Sequence, residues 1–446
     1  MNIKESFDNF YNEIHLNSTA TFDNAINAIT KKLNLKYYPN ESEDDSINVE
    51  VDNSLIVGSI GRGTAIENVS DVDLLFILPW NVYDRFSAYK NNGQSALLQE
   101  IKAEILERYP RTDIKGDGQA VVIEFEKFSI DLVPAFKNTD GSFLFPNSNN
   151  GGSWENTNPI PEQRTSKDIN NWTNNNFVQL ANMMRCWKDN NGFIFGGLLI
   201  DTLVYYFLNQ NSQFWYSGFG DYVDIITKLL KYLSEKKENE VIYALGSYKT
   251  NTDKGHGKYI IKAKEYYDQL INADKEYEIE NVFVSMFGNK FRKSMVDSKG
   301  NQIIEDSLRR YGCVNTEEFI EDRCPVDIRY YLRLNCNVTI NGWRPKLLRS
   351  LFAISLKRKL EFYIEKTNVP KPYKIYWKVR NVGPEAYGRN CIRGQIYQGH
   401  ETKIETSSFD GPHYVECYLI KNGICVARDR IIVNIRTGFQ DGVDVI

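Results

Sequence analysis

The sequence predicts an α+β chain in three parts: a sheet carrying acidic residues, a helical body and a β-rich C-terminal part. Three observations support this. Short apolar runs of strand character (54–57, 69–78, 121–125 and 128–133) cluster ahead of residue 135. From residue 166 the apolar residues recur at helical spacing, through 176–188, 195–208, 222–236 and 259–284. From Val326 onward, β-branched and aromatic runs are cut by Gly, Asn and Pro. These changes of period set the expected parts at 1–165, 166–292, a linker at 293–324, and 325–446. With 446 residues and 42% hydrophobic content, the chain is long enough to bury more than one core.

Taken in order, residues 7–15 and 21–33 carry helical spacing, and 39–46 is a polar loop before the first strand. The strand at 54–57 runs into Gly58-Ser59, and a short helix is expected near Thr64. The run 69–78 is the second strand. Residues 95–109 read as a helix that crosses to a hairpin formed by 121–125 and 128–133. Residues 138–165, rich in Asn, Gly, Pro and Ser, predict a loop over the ligand-binding face. The stretch 288–323 reads as a linker with one helix, and 345–359 as a helix among the C-terminal strands.

The chemistry concentrates near the start of the sheet. In a strand, residues i and i+2 share a face, so Asp71 and Asp73 stand side by side. Two like charges so close raise each other's pKa unless a cation compensates, and Mg²⁺ takes carboxylate oxygens while leaving positions for phosphates. A third carboxylate is expected for a phosphoryl-transfer centre, and Asp131 on the following hairpin is the candidate. Gly58, with Gly61 and Gly63, lets backbone approach a ligand closely, and the Ser59 hydroxyl with nearby amides suits a triphosphate.

Other features exclude alternatives. Seven cysteines are scattered without a C-x-x-C pair and the chain has four histidines, so neither a disulfide framework nor a zinc module for DNA binding is expected. No run approaches the roughly 20 apolar residues of a membrane helix, and the N-terminus lacks an apolar signal core, so the expected location is cytoplasmic. Charge is uneven: residues 325–446 carry 20 Lys plus Arg against 11 Asp plus Glu, leaving 34 against 47 in the first 324. Basic residues interleave with aromatics at 373–380, a pattern equally open to nucleotide binding and to a solvated strand face.

Gly58-Ser59, Asp71-Val72-Asp73 and Asp131 resemble the active-site signature of the DNA polymerase β-type nucleotidyltransferases. The run 182–188 with Arg185, Trp187 and Lys188, the apolar helix at 195–208 and the run 286–291 narrow the resemblance to the bacterial cGAS/DncV-like nucleotidyltransferases, or CD-NTases. Residues 370–373, 376–383, 385–386, 392–396, 405–406 and 411–418 resemble the AGS-C sensor domain. The resemblance implies a polymerase β-like sheet with a helical domain and a C-terminal AGS-C domain. It further implies a cyclic oligonucleotide synthase that uses nucleoside triphosphates and Mg²⁺ (Mn²⁺ as a substitute) and signals to a CBASS antiphage effector. Asp71, Asp73 and Asp131 are then the catalytic metal ligands, and Gly58, Ser59, Arg185 and Lys188 the nucleotide contacts. Arg185 stands where the family usually has Lys, and Gly196-Gly197 where it often has serines. The C-terminal domain is expected to take an unknown activating ligand, with Trp377, Arg380, Arg393, Glu405 and His413 as candidates. Transfer of a nucleotide to RNA or to a protein hydroxyl, and non-catalytic nucleotide sensing, are the alternative readings.

Overall fold

The computed structural model describes residues 3–39, 53–67, 69–295, 316–339, 345–351, 353–382 and 384–436. The polar loop expected at 39–46 and most of the linker lie outside the described residues.

The N-terminal sheet is built from β1 (Ser54–Ile56), β2 (Asp71–Ile77), β3 (Asp113–Asp117), β4 (Ala120–Glu124), β5 (Ser129–Lys137), β6 (Phe143–Asn147) and β7 (Ser153–Thr157). Its order is β1-β2-β5-β4-β3, with β6 beside the end of β5 and β7 beside β6. Among the described strands of this sheet only β2 and β5 pair in parallel, and their register sets Asp73 opposite Asp131. Strand alternation explains the faces. Val72, Leu74 and Phe76 are fully buried in one apolar core with Ile29 and Leu33 of α2 (Ala20–Tyr37) and Leu97 and Ile101 of α5 (Gly93–Arg108). Asp71 and Asp73 therefore point away from the helices. The entry to α5 is fixed by Asn92, whose side chain accepts from the Ser95 amide at 2.9 Å.

Residues 138–165 are not the loop that their composition predicts. Phe143 and Phe145 are buried, and Trp154 packs on Tyr83 and Phe136 at ring separations of 5.0 and 5.6 Å, so aromatics at strand spacing fix the β6–β7 hairpin. The Asn- and Gly-rich residues form only its turn, and α6 (Pro159–Trp172) follows directly.

The helical body contains α7 (Asn176–Asn191), α8 (Gly197–Gln210), α9 (Tyr222–Ser234), α10 (Lys258–Ile271), α11 (Glu276–Phe287) and α12 (Asn289–Ser294). The helical period at 259–284 is split between α10 and α11, because Glu278 reaches back to the Lys275 amide at 3.3 Å and starts a new helix. The first helix of the chain, α1 (Ile3–Ile14), packs here and not on the sheet. Phe7 meets Phe283 at 5.0 Å and Phe10 meets Phe291 at 5.2 Å. Each such ring, fully buried, contributes about 1.5–3 kcal/mol. A two-residue ladder, β8 (Ile242–Tyr243) with β9 (Thr250–Asn251), lies between α9 and α10.

The C-terminal part is a sandwich of two four-stranded antiparallel sheets. One runs β11 (Lys346–Leu347), β10 (Leu332–Thr339), β12 (Lys359–Thr367), β15 (Thr402–Thr406). The other runs β14 (Arg393–Gly399), β13 (Lys374–Arg380), β16 (Gly411–Lys421), β17 (Ile424–Ile435). The helix expected at 345–359 is absent among the described residues there. Leu348, Leu351 and Ile354 mimic helical spacing, but only Leu348–Ser350 forms a single 3-10 turn; Leu351 is extended, and the Ile354 amide donates to Asn434 O at 2.9 Å as the chain enters the sandwich core.

Candidate active site

The turn after β1 is shaped by the acid beside it. Gly58 has φ +64°, and a β-carbon there would lie 1.8 Å from Asp73 Oδ2, so this backbone approaches the carboxylate as only glycine permits. The Val57 amide donates to Asp73 O at 2.8 Å, which pins the turn to β2. The helical turn expected near Thr64 comes earlier, as α3 (Gly58–Gly61). A cavity of about 360 Å³ opens here, and Gly58, Ser59, Asp71, Asp73, Arg185 and Lys188 all line it. Asp131 flanks it from the neighbouring strand, level with Asp73.

Burial first, and neighbouring carboxylates second, raise all three acids. Asp71 is pushed up to about 6 by burial and then by Asp327, against the pull of Arg329. Asp131 is pushed up to about 6 by burial and by Asp71. Burial and Asp131 raise Asp73 as well. Hard carboxylate oxygens at raised pKa, next to a glycine-lined turn, fit a divalent cation. Among the described residues, no three acidic, His or Cys side chains converge closely enough to ligate an ion, Asp71 being paired with Arg329 at 3.0 Å.

Arg185 lines the cavity but is committed elsewhere. Its guanidinium donates to both carboxylate oxygens of Asp201, at 2.7 and 2.9 Å, to Thr64 Oγ1 at 3.0 Å and to the Gly197 carbonyl at 3.2 Å. Asp201 also accepts from Arg62 Nε at 2.8 Å. Burial works to raise Asp201, yet the two guanidinia outweigh it and hold the carboxylate low. This buried knot ties the turn after β1 to α7 and α8, so Arg185 sets the height of the glycine turn and offers no spare fork. Lys188 is buried too. Its Nζ lies 2.5 Å from Asp189 Oδ1 and 3.6 Å from Asp327 Oδ1.

The residues that sequence reasoning did not single out are Arg62, Thr64, Asp189, Asp201, Asp327 and Arg329. Asp201 alone left a signal, as the one acid in an apolar helix. The last two come from the C-terminal domain. Arg329 Nη2 donates to Ser70 Oγ at 3.0 Å and pairs with Asp71 Oδ1 at 3.0 Å.

Of the C-terminal candidates, Arg393, Glu405 and His413 line a separate cavity of about 610 Å³ in the sandwich. There the Arg393 and Glu405 side chains pair through two bonds of 2.7 and 3.0 Å. Trp377 is buried, its indole donating to His400 O at 2.8 Å, and Arg380 donates to Arg393 O at 3.1 Å. No helix among the described residues is long and apolar enough to cross a membrane.

Residues 1–170 match the family described as "Second Messenger Oligonucleotide or Dinucleotide Synthetase domain". Residues 314–436 match the "Adenylyl/Guanylyl and SMODS C-terminal sensor domain". Comparison with curated proteins gives no match. Among solved structures, CdnC of E. coli MS115-1 with ATP is similar at 16% identity, covering 65% of this chain and 99% of that one, with a TM-score of 0.49. CdnG of Bradyrhizobium diazoefficiens in complex with GTP is similar at 9% identity over 66% of this chain and 97% of its own, TM-score 0.43. Vibrio cholerae DncV cyclic AMP-GMP synthase with a linear intermediate gives 13% identity, 66% and 89% coverage and a TM-score of 0.42. The two matches give the chain a nucleotidyltransferase domain of the second messenger oligonucleotide or dinucleotide synthetase family at 1–170 and an AGS-C sensor domain at 314–436, the pair that the resemblance to the CD-NTases implies.

Proposed function

We propose that this protein joins nucleoside triphosphates into a cyclic di- or trinucleotide, releasing pyrophosphate, and that the product activates an effector in CBASS antiphage defence. The observation that carries the reading is the placement of Asp71, Asp73 and Asp131 on one face of two parallel-paired strands, with the Gly58 backbone packed on Asp73. Asp71, Asp73 and Asp131 would hold Mg²⁺ or Mn²⁺, which when bound supplies positive charge to the triphosphate and lowers the pKa of the attacking hydroxyl.

The protein's own groups do the rest. The Ser59 hydroxyl and the Gly58 turn take the phosphates at the mouth of the cavity. The Arg62–Asp201–Arg185 knot keeps that turn at a fixed height above β2. The Asp131 carboxylate accepts the proton of the attacking ribose hydroxyl. A new O–P bond forms at the α-phosphorus, the bond to the β-phosphate oxygen breaks, and pyrophosphate leaves. A second transfer in the same cleft closes the ring. Lys188 supplies charge at the cavity wall.

Incubating the protein with the four labelled nucleoside triphosphates and Mg²⁺ or Mn²⁺, beside an Asp71→Ala/Asp73→Ala variant, tests this by mass spectrometry of phosphatase-resistant products. A cyclic oligonucleotide made only by the unaltered protein is expected. Label found on RNA or protein, with no cyclic product, would replace this reading by macromolecular nucleotidyl transfer.

A further inference from the structure

The segment that opens the C-terminal domain reaches into the catalytic centre. Its backbone is fixed to the sandwich, since the Asp327 and Arg329 amides donate to Cys425 O and Val426 O at 3.0 and 3.1 Å. It is fixed equally to the helical body. The Ile328 amide donates to Asp189 Oδ1 at 2.9 Å, and Lys188 Nζ lies 3.5 Å from Ile328 O. Between these anchors the Arg329 side chain is aimed at β2 by Asp327, whose Oδ2 accepts from Nε at 2.5 Å. Its far end pairs with Asp71 Oδ1 at 3.0 Å.

We propose that Arg329 is a built-in counter-cation. By delivering a guanidinium onto Asp71, the sensor domain sets its own docking in competition with the loading of a divalent cation at that acid. This inference rests on the reading of Asp71 as a metal ligand.

Magnitudes favour a latch over a structural rivet. Arg329 and Asp71 each keep 33% of their side-chain surface exposed, whereas in the Arg185–Asp201 pair the values are 6% and 0%. A partly exposed pair is screened by solvent and is among the weaker ion pairs, so it can be displaced. A divalent ion brings twice the charge to the same oxygen at about 2.0–2.1 Å, closer than the guanidinium sits. A guanidinium and a divalent ion held at one carboxylate repel each other, so each weakens the hold of the other. Withdrawal of Arg329 pulls on 327–328 and, through Cys425 and Val426, on β17. By linkage, whatever shifts the sandwich alters cation affinity, and cation binding loosens the sandwich by the same factor.

The test is a Mn²⁺ titration of the whole protein without nucleotide, followed by electron paramagnetic resonance. It compares the unaltered chain with Arg329→Ala, Arg329→Gln and Asp71→Ala/Asp73→Ala. Arg329→Ala is expected to bind Mn²⁺ about 5- to 150-fold more tightly, the usual span of coupling between two sites, with Arg329→Gln close behind. In the unaltered chain, Mn²⁺ with a non-hydrolysable ATP analogue should speed hydrogen exchange at the Ile328 amide. Unchanged or weaker Mn²⁺ binding by both Arg329 variants, while the double aspartate variant binds none, would overturn the latch and leave the catalytic reading standing. Undiminished Mn²⁺ binding by the double aspartate variant would overturn the metal reading of the site, and the latch with it.

Discussion

At position 58 the chain approaches an acid more closely than any side chain allows, because a β-carbon would fall 1.8 Å from Asp73 Oδ2 and the backbone already has φ +64°. Gly58→Ala must therefore move Asp73 or the turn. A shift of about 1 Å in such a site costs on the order of 100-fold in rate, and the strained backbone about 1–3 kcal/mol in stability. Steady-state turnover beside thermal unfolding checks this, and near-normal turnover would show that the close approach has no catalytic consequence. The acids themselves were legible in the sequence, because spacing by two within an apolar run has one geometric meaning. Arg329 was not. It stands 258 positions from Asp71, and nothing local in its surroundings marks it as more than a loop charge. Arg185 shows the converse limit: its residue type suited phosphate, but Asp201, Thr64 and the Gly197 carbonyl claim its donors.

In the second C-terminal sheet, β16 carries Glu416 into a buried ionic network. Its carboxylate accepts from Arg428 at 3.0 Å, Arg430 at 2.8 Å and Tyr418 Oη at 2.7 Å, with Lys378 at 3.4 Å. Burial would raise its pKa, but Arg430, Lys378 and Arg428 together hold it well below the usual 4.5. A carboxylate depressed in the folded state adds stability above its ordinary pKa, and that gain is lost as the pH falls through 4.5 toward the folded value. Glu416→Gln leaves three cations without their shared partner, so it is expected to cost about 3–5 kcal/mol at neutral pH and to flatten the acid-induced loss. Thermal unfolding from about pH 7 down to about pH 2.5, below the ordinary carboxylate range, measures both effects, and a variant as stable as the parent would show that the network is dispensable. At this scale the strands of the catalytic sheet were readable from apolar runs bounded by turn residues. The β6–β7 hairpin was not, since its Asn- and Gly-rich turn dominates the composition of a short stretch. The 345–359 segment differs for another reason: buried leucines three apart fit an α-helix as well as one 3-10 turn running into extended chain that touches a core at intervals.

Across the whole molecule, the charge division visible in the sequence finds a structural counterpart. The basic C-terminal third lies against the acidic remainder through Arg329 on Asp71, while the connecting segment is held by Lys293 on Asp322 and Arg292 near Glu317. The Arg329–Asp71 and Lys293–Asp322 pairs are partly exposed and so are readily displaced, whereas the Ile328 amide on buried Asp189 anchors the segment between the two bodies. The catalytic sheet, the helical body completed by α1, and the sandwich each have their own hydrophobic cluster. The site is thus assembled from three bodies, and its chemistry depends on how they meet. A crystal structure of the protein with Mn²⁺ and a non-hydrolysable ATP analogue, with manganese located by anomalous scattering, tests this account most directly. It predicts manganese bound by Asp71 and Asp73 with Asp131 alongside, the triphosphate over Ser59, and Arg329 withdrawn from Asp71. Manganese and nucleotide found away from these acids, or bound to Asp71 with Arg329 still in place, would contradict it.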